Sequence, residues 1–117
     1  MSPRRSAALS AVVDAAPVFA ALGDPTRLAL VTRLCGGGPA SIARLTAGVG
    51  VSRQAVSKHL RALAQADLVR CTRLGREQIY ALEPRRLAAA RHCLERIARD
   101  WDLALGRLRM LVEGDGA

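Results

Sequence analysis

Thiols are scarce in this 117-residue chain and badly spaced for chemistry, since Cys35, Cys71 and Cys93 form no Cys-x-Cys or Cys-x-x-Cys pair. Neither a disulfide framework nor a thiolate metal centre is expected, and the pattern fits a reduced, cytoplasmic protein. Arg, Asp or Gly interrupts every apolar run well short of the roughly 20 residues that cross a bilayer. The N-terminus also lacks the long apolar core of a signal peptide, so no membrane partner is expected. The two histidines, His59 and His92, have no evident nucleophile or paired carboxylate arranged with them. No catalytic residue is assigned, and an enzyme is not expected. The glycine-rich "CGGGPAS" follows no strand and lacks the Lys-Ser/Thr of a phosphate-binding loop, so no cofactor is expected either. Acidic residues are few: 10 Asp and Glu stand against 18 Lys and Arg, for a net charge of +8.

Such a balance draws a protein toward a polyanion. Coding bias explains part of it, because all but one of the cations are Arg in a chain rich in Ala, Leu and Gly. Position is more telling. From Arg44 to Arg76 the cations Arg44, Arg53, Lys58, Arg61, Arg70, Arg73 and Arg76 face a single acid, Asp67. The length is that of one small domain, and half the residues are apolar, enough for one modest core.

Residues 1–13 begin polar and basic and end apolar, as an arm that becomes partly helical would. Asp14 reads as the N-cap of a short helix through Leu22, with Pro17 in its first turn. Asp24 and Pro25 then open a helix with Leu28, Val31, Leu34 and Cys35 inward, stopped by Gly36-Gly37-Gly38. A third helix starts near Ser41 and carries Ile42, Leu45 and Val49. After the break at Gly48 and Gly50, Ser52 caps a fourth, "SRQAVSKHLRALAQ", with Val56, Leu60 and Leu63 on its inner face. Two helices joined by a tight glycine-containing turn make a helix-turn-helix. In "LVRCTRLGREQIYAL" the period changes to two, which predicts a β-hairpin with Val69, Cys71, Ile79 and Leu82 as strand positions and Leu74-Gly75-Arg76 as the turn. From Pro84 to about Val112, Leu87, Ala90, Leu94, Ile97, Trp101, Ala104, Leu108 and Leu111 recur in steps of three and four, a heptad seam. At about 1.5 Å per residue this helix is roughly 42 Å long. Its apolar surplus is most simply covered by a second copy of the chain.

The outer face of the fourth helix has the donors to enter a DNA major groove. Gln54 suits adenine, Lys58 or Arg61 suits guanine, and Ser52, Arg53 and Ser57 suit phosphate. Arg73 and Arg76 on the hairpin are assigned to the DNA backbone or minor groove. The segments "VFAALGDPTRLALVTRL", "VSRQAVSKHLRALAQADLV" and "RLGREQIYAL", in that order, resemble ArsR-type winged helix-turn-helix transcriptional regulators over roughly Val18 to Leu82. The resemblance implies a mainly α fold with a small β-hairpin and a long C-terminal dimerisation helix. It also implies a homodimer, built by the first and last helices, that binds double-stranded DNA at an imperfect palindrome and usually represses. On that reading Val18, Phe19, Leu94, Ile97, Trp101 and Leu108 form the dimer interface. His59 matches the family's recognition-helix His and either touches DNA or supports the helix.

The expected organisation is an arm over 1–13, a DNA-binding domain over 14–83, the dimerisation helix over 84–113 and a flexible tail over 114–117. Two departures from the family stand out. "ASIARLTAGVGVS" holds no thiol where many relatives carry a metal-sensing Cys-x-Cys. Adjacent His92 and Cys93 point about 100° apart around their helix, so no metal ligand is assigned. Asp67 replaces the common Gly at the entry to the hairpin, where slight backbone strain is expected. The rival readings are a helical protein-interaction module without DNA binding and a thiol- or metal-responsive regulator of the same fold.

Overall fold

A computed structural model describes residues 3–115, with side chains described from 12 to 114. The order is α1 (Pro3–Leu22), α2 (Pro25–Gly37), β1 (Ala40–Ser41), α3 (Ile42–Thr46), α4 (Arg53–Gln65), β2 (Val69–Leu74), β3 (Glu77–Leu82) and α5 (Pro84–Asp115). The fold is mainly helical with one small antiparallel sheet, a winged helix-turn-helix followed by a long C-terminal helix.

Local chemistry sets most of these boundaries. Asp24 caps α2 by accepting the Arg27 N–H at 3.0 Å, with Pro25 at the first position, and Gly38 at φ 73° ends the helix. Ser41 and Ser52 cap α3 and α4 in the same way, accepting from Arg44 N–H and Ala55 N–H. The expected cap at Asp14 is wrong: α1 is already helical from Pro3, so Asp14 and Pro17 lie in its interior. The apolar "AALSAVV" continues the helix through both, although Pro17 removes one backbone hydrogen bond. Of the expected tail, Gly114 and Asp115 belong to α5; residues 116 and 117 lie outside the described residues.

The core gathers Val18 and Ala21 of α1, Leu30, Val31 and Leu34 of α2, Leu45 of α3, and Val56, Leu60 and Leu63 of α4 beneath Leu68 and Val69. Leu28 and Cys35, expected inward, are exposed. At about 100° per residue each lies roughly 100° around the helix from the centre of the Leu30-Val31-Leu34 stripe. Beside α3, the Arg33 guanidinium donates to the Leu45 carbonyl at 3.3 Å and lies where a side chain at Gly48 would sit. Glycine there leaves room for this clamp on the helix-turn-helix turn.

The sheet has the order β1-β3-β2, with β1 pairing antiparallel to β3. Leu74 pairs with Glu77, so the hairpin loop is the two residues Gly75-Arg76, with Gly75 at φ 64°. That is the glycine-first geometry matching strand twist. Val69 faces Leu82 and Cys71 faces Tyr80, so Tyr80 and Leu82 pack on the core while Ile79, paired with Thr72, belongs to the opposite face. Ile79 and Leu82 are three apart and cannot share a strand face, which corrects the expected pattern. Asp67 does adopt a left-handed conformation, at φ 58°. From there its carboxylate reaches the Arg86 guanidinium at 3.3 Å, tying the hairpin entry to α5.

α5 is 32 residues long, about 48 Å at an α-helical rise. The Cα radius of gyration is 19.3 Å, well above the roughly 13 Å of a compact domain this size. The elongation accords with the length of α5, along which α1 packs and whose residues beyond Ala90 are not buried among the described residues.

Candidate nucleic-acid interface

Val56, Leu60 and Leu63 have no exposed surface, and together they fix the roll of α4 about its axis. Arg53, Gln54, Lys58 and Arg61 are consequently exposed, with Ser57 half-buried between them. These five side chains line one open concavity of about 520 Å³. Ser52, exposed at the N-terminus of α4, has its hydroxyl oxygen committed to the Ala55 N–H at 3.2 Å.

The hairpin stands beside this helix. Residues 69, 71 and 73 share a strand face, so Arg73 continues the core-facing side of β2 beyond the core's edge. It enters a cleft of about 230 Å³ with Arg53 of α4, Arg76 of the loop and Gln78 of β3. Three guanidinium groups surround that cleft with one carboxylate, Glu77. Among the described residues, none of Arg53, Lys58, Arg61, Arg73 or Arg76 belongs to an ion pair. Arg70, on the other strand face, is paired with Glu83 at 2.9 Å. The positive charge is therefore balanced at the hairpin's base and left unbalanced where α4 and the loop converge. Gln78 was not among the sequence-derived candidates; its register opposite Arg73 is the signal that finds it.

His59 does not join this face. Its Nδ1 lies 3.7 Å from Oδ2 of Asp24, at the start of α2. On α4 it is about 130° around from the centre of Gln54, Lys58 and Arg61. Of the two roles the sequence left open for His59, this placement favours support of the helix within the protein. The Asp24 carboxyl is held below its ordinary value, first by the Arg27 backbone N–H, against a smaller opposing effect of burial, and then by the charges of His59 and Arg27. On the sheet, burial is the main cause pushing the Tyr80 phenol up, with the facing Cys71 thiol adding to it.

The candidate dimer residues separate into two groups. Val18 is completely buried in the protomer's own core, has no surface to offer a partner, and is removed from the candidates. Phe19 is half-buried between α1 and α5, where it lines an apolar pocket with Val12, Cys93 and Ile97. Leu94, Ile97, Trp101 and Leu108 are each more than half exposed. The thiols lie on three separate elements, and among the described residues no three His, Cys, Asp or Glu side chains are grouped to hold a metal. Nor is any described helix long and apolar enough to cross a membrane.

An exposed, cationic second helix of a helix-turn-helix flanked by an arginine-tipped hairpin defines a DNA-binding winged-helix protein. Comparison with known proteins agrees. Residues 22–72 match the model of a helix-turn-helix domain family. A helix-turn-helix-type transcriptional regulator of Mycobacterium tuberculosis is 41% identical over 96 residues, covering 82% of this chain and 86% of that protein. An ArsR-like transcriptional regulator from Rhodococcus sp. RHA1 superposes with a TM-score of 0.68 at 38% identity, covering 85% and 92% of the two chains. A homodimeric winged helix-turn-helix domain from Mycobacterium bovis, described as a possible ArsR-family regulator, gives 0.60 at 25% identity over 88% and 91%. The chain belongs to the ArsR family of winged helix-turn-helix transcriptional regulators.

Proposed function

We propose that this regulator is a cytoplasmic homodimer that binds an imperfect palindrome and represses the promoter it covers. The observation that carries the reading is the unbalanced cationic surface where α4 meets the hairpin, set on a helix whose inner face is fully anchored. Gln54, Lys58 and Arg61 read base edges in the major groove; Ser52, Arg53 and Ser57 approach phosphate near the positive end of α4. Ser52 offers its hydroxyl proton there, because its oxygen already serves the cap. Arg73 and Arg76 hold the backbone or minor groove beside it.

Dimerisation follows from α5. α1 covers the flank bearing Cys93, Arg96 and Asp100, whereas Leu94, Trp101 and Leu105 lie roughly 130° around the helix. A second copy buries that stripe, with Phe19, Ile97 and Leu108 along its edges, and presents two α4 helices to successive major grooves. The relative from M. bovis is itself described as homodimeric.

Selection of bound fragments from genomic DNA, followed by sedimentation of the free protein, tests the reading. The expected result is a dimer at micromolar concentration and recovered sites with two inverted half-sites about one helical turn, some 34–36 Å, apart. A monomer, or binding without sequence enrichment, contradicts it. A protein-interaction module would show little dependence on salt, whereas DNA binding weakens steeply as salt rises.

A further inference from the structure

Away from the cationic face, polar groups of three helices meet at the segment "LGDPTR". Oδ2 of Asp24 accepts the Arg27 N–H at 3.0 Å and lies 3.7 Å from Nδ1 of His59, an ion-pair distance for the protonated ring. The Arg27 side chain turns the other way, and its Nε donates to the Ala21 carbonyl near the end of α1. Through Arg27 and Asp24, polar contacts thus link the end of α1, the first turn of α2 and the middle of α4. The His59 and Asp24 side chains are 22% and 31% exposed, so their attraction is only partly screened by solvent.

The apolar anchors of α4 leave such a contact work to do. Contacts by Val56, Leu60 and Leu63 are non-directional and fix the roll of the helix more firmly than its slide or tilt. A polar contact at one edge of that apolar face, between the His59 ring and the Asp24 carboxylate, removes part of that freedom. We infer that His59 is a positioning residue that, through Asp24 and Arg27, holds α4 at a fixed angle to α1 and so sets the separation of the two recognition helices in the dimer. The inference rests on the homodimeric, palindrome-binding reading above. It explains why His59 sits on the helix that reads DNA yet faces away from the DNA surface.

Two substitutions isolate the pair. Asp24→Asn keeps a side chain that caps as well as Asp but removes the charge, and His59→Gln removes the ring. Operators with identical half-sites, at the selected spacing and at spacings one base pair shorter and longer, are titrated with wild type, both single variants and the double variant, after each is shown to unfold cooperatively. Wild type is expected to prefer the selected spacing by about tenfold, and each variant by about threefold or less, with the salt slope unchanged. The double variant should lose no more than the worse single one, because both remove the same interaction. Wild type without a spacing preference would overturn the dimeric reading and this inference with it. A preference that survives in both variants, beside an intact wild-type preference, would overturn the inference alone. If His59→Gln flattens the salt slope by about one unit per protomer, His59 neutralises a phosphate and the positioning role is excluded.

Discussion

The domain built from α2 to β3 and the outer half of α5 are made of similar apolar residues with opposite fates. Leu30, Leu60 and Leu63 have no exposed surface, while beyond Ala90 no described residue of α5 is buried, and Trp101 and Met110 are 66% and 75% exposed. The difference lies in neighbours. In the domain, α1 to α4 and the sheet contribute to one shared core; among the described residues, the outer half of α5 meets α1 on one flank. Full burial of such a side chain contributes about 1.5–3 kcal/mol. The domain collects that stabilisation within one chain, and on the proposed reading α5 collects it with a second copy. Apolar periodicity states that a face is to be covered without stating which chain covers it.

The contrast can be broken from either side. The largest effect is expected at the open face: Leu94→Arg places a charge on the stripe, should convert the dimer to monomer in sedimentation, and should lower operator affinity by about 10²–10⁴ as the two half-sites are no longer read together. The domain should still unfold cooperatively. A Leu94→Arg protein that stays dimeric shows that the partner lies elsewhere. Leu60→Ala attacks the closed core instead, and should cost about 2–5 kcal/mol in denaturant unfolding at fixed protein concentration. Ser52→Ala removes the cap that starts α4 and should cost about 1 kcal/mol, measured in the same way.

The smallest effect concerns pH. Asp24 is held below its ordinary value of 3.8 in the fold. Its contribution is therefore fully present above the unfolded value and is lost as pH falls through the folded one. Asp24→Asn has no such carboxylate, so its stability gap to wild type should narrow on acidification below about pH 4. A gap that stays constant in acid-unfolding titrations removes the assigned role of this carboxylate.

Much of the domain was legible because its signals are local. The caps at Asp24 and Ser52, the anchors Val56, Leu60 and Leu63, and the left-handed residue at Asp67 follow from side-chain chemistry within a turn or two. What escaped depends on distant neighbours. Leu28 and Cys35 carry apolar side chains at helical spacing, but the roll of α2 is set by α1 and α4. Tyr80 replaces Ile79 on the core because register across β2 and β3 decides the face. β1 is two residues long and exists only by pairing with β3. The cationic face was legible as a pattern on one helix, whereas the cleft uniting Arg53, Arg73, Arg76 and Gln78 required the hairpin to fold back beside α4.

Whether that face reads DNA is tested most directly by salt-dependent titration of the selected operator and of unrelated DNA with wild type, Gln54→Ala, Lys58→Ala and Arg76→Ala. Gln54→Ala should cost about 1–3 kcal/mol on the operator and relax base preference at one position in each half-site, with unchanged salt slope and nearly unchanged binding to unrelated DNA. Arg76→Ala should weaken binding to both DNAs and flatten the slope of log affinity against log salt by about one unit for each phosphate no longer neutralised, or about two per dimer. If Gln54→Ala and Lys58→Ala leave operator affinity and base preference untouched, α4 presents only a solvated surface and the account is contradicted.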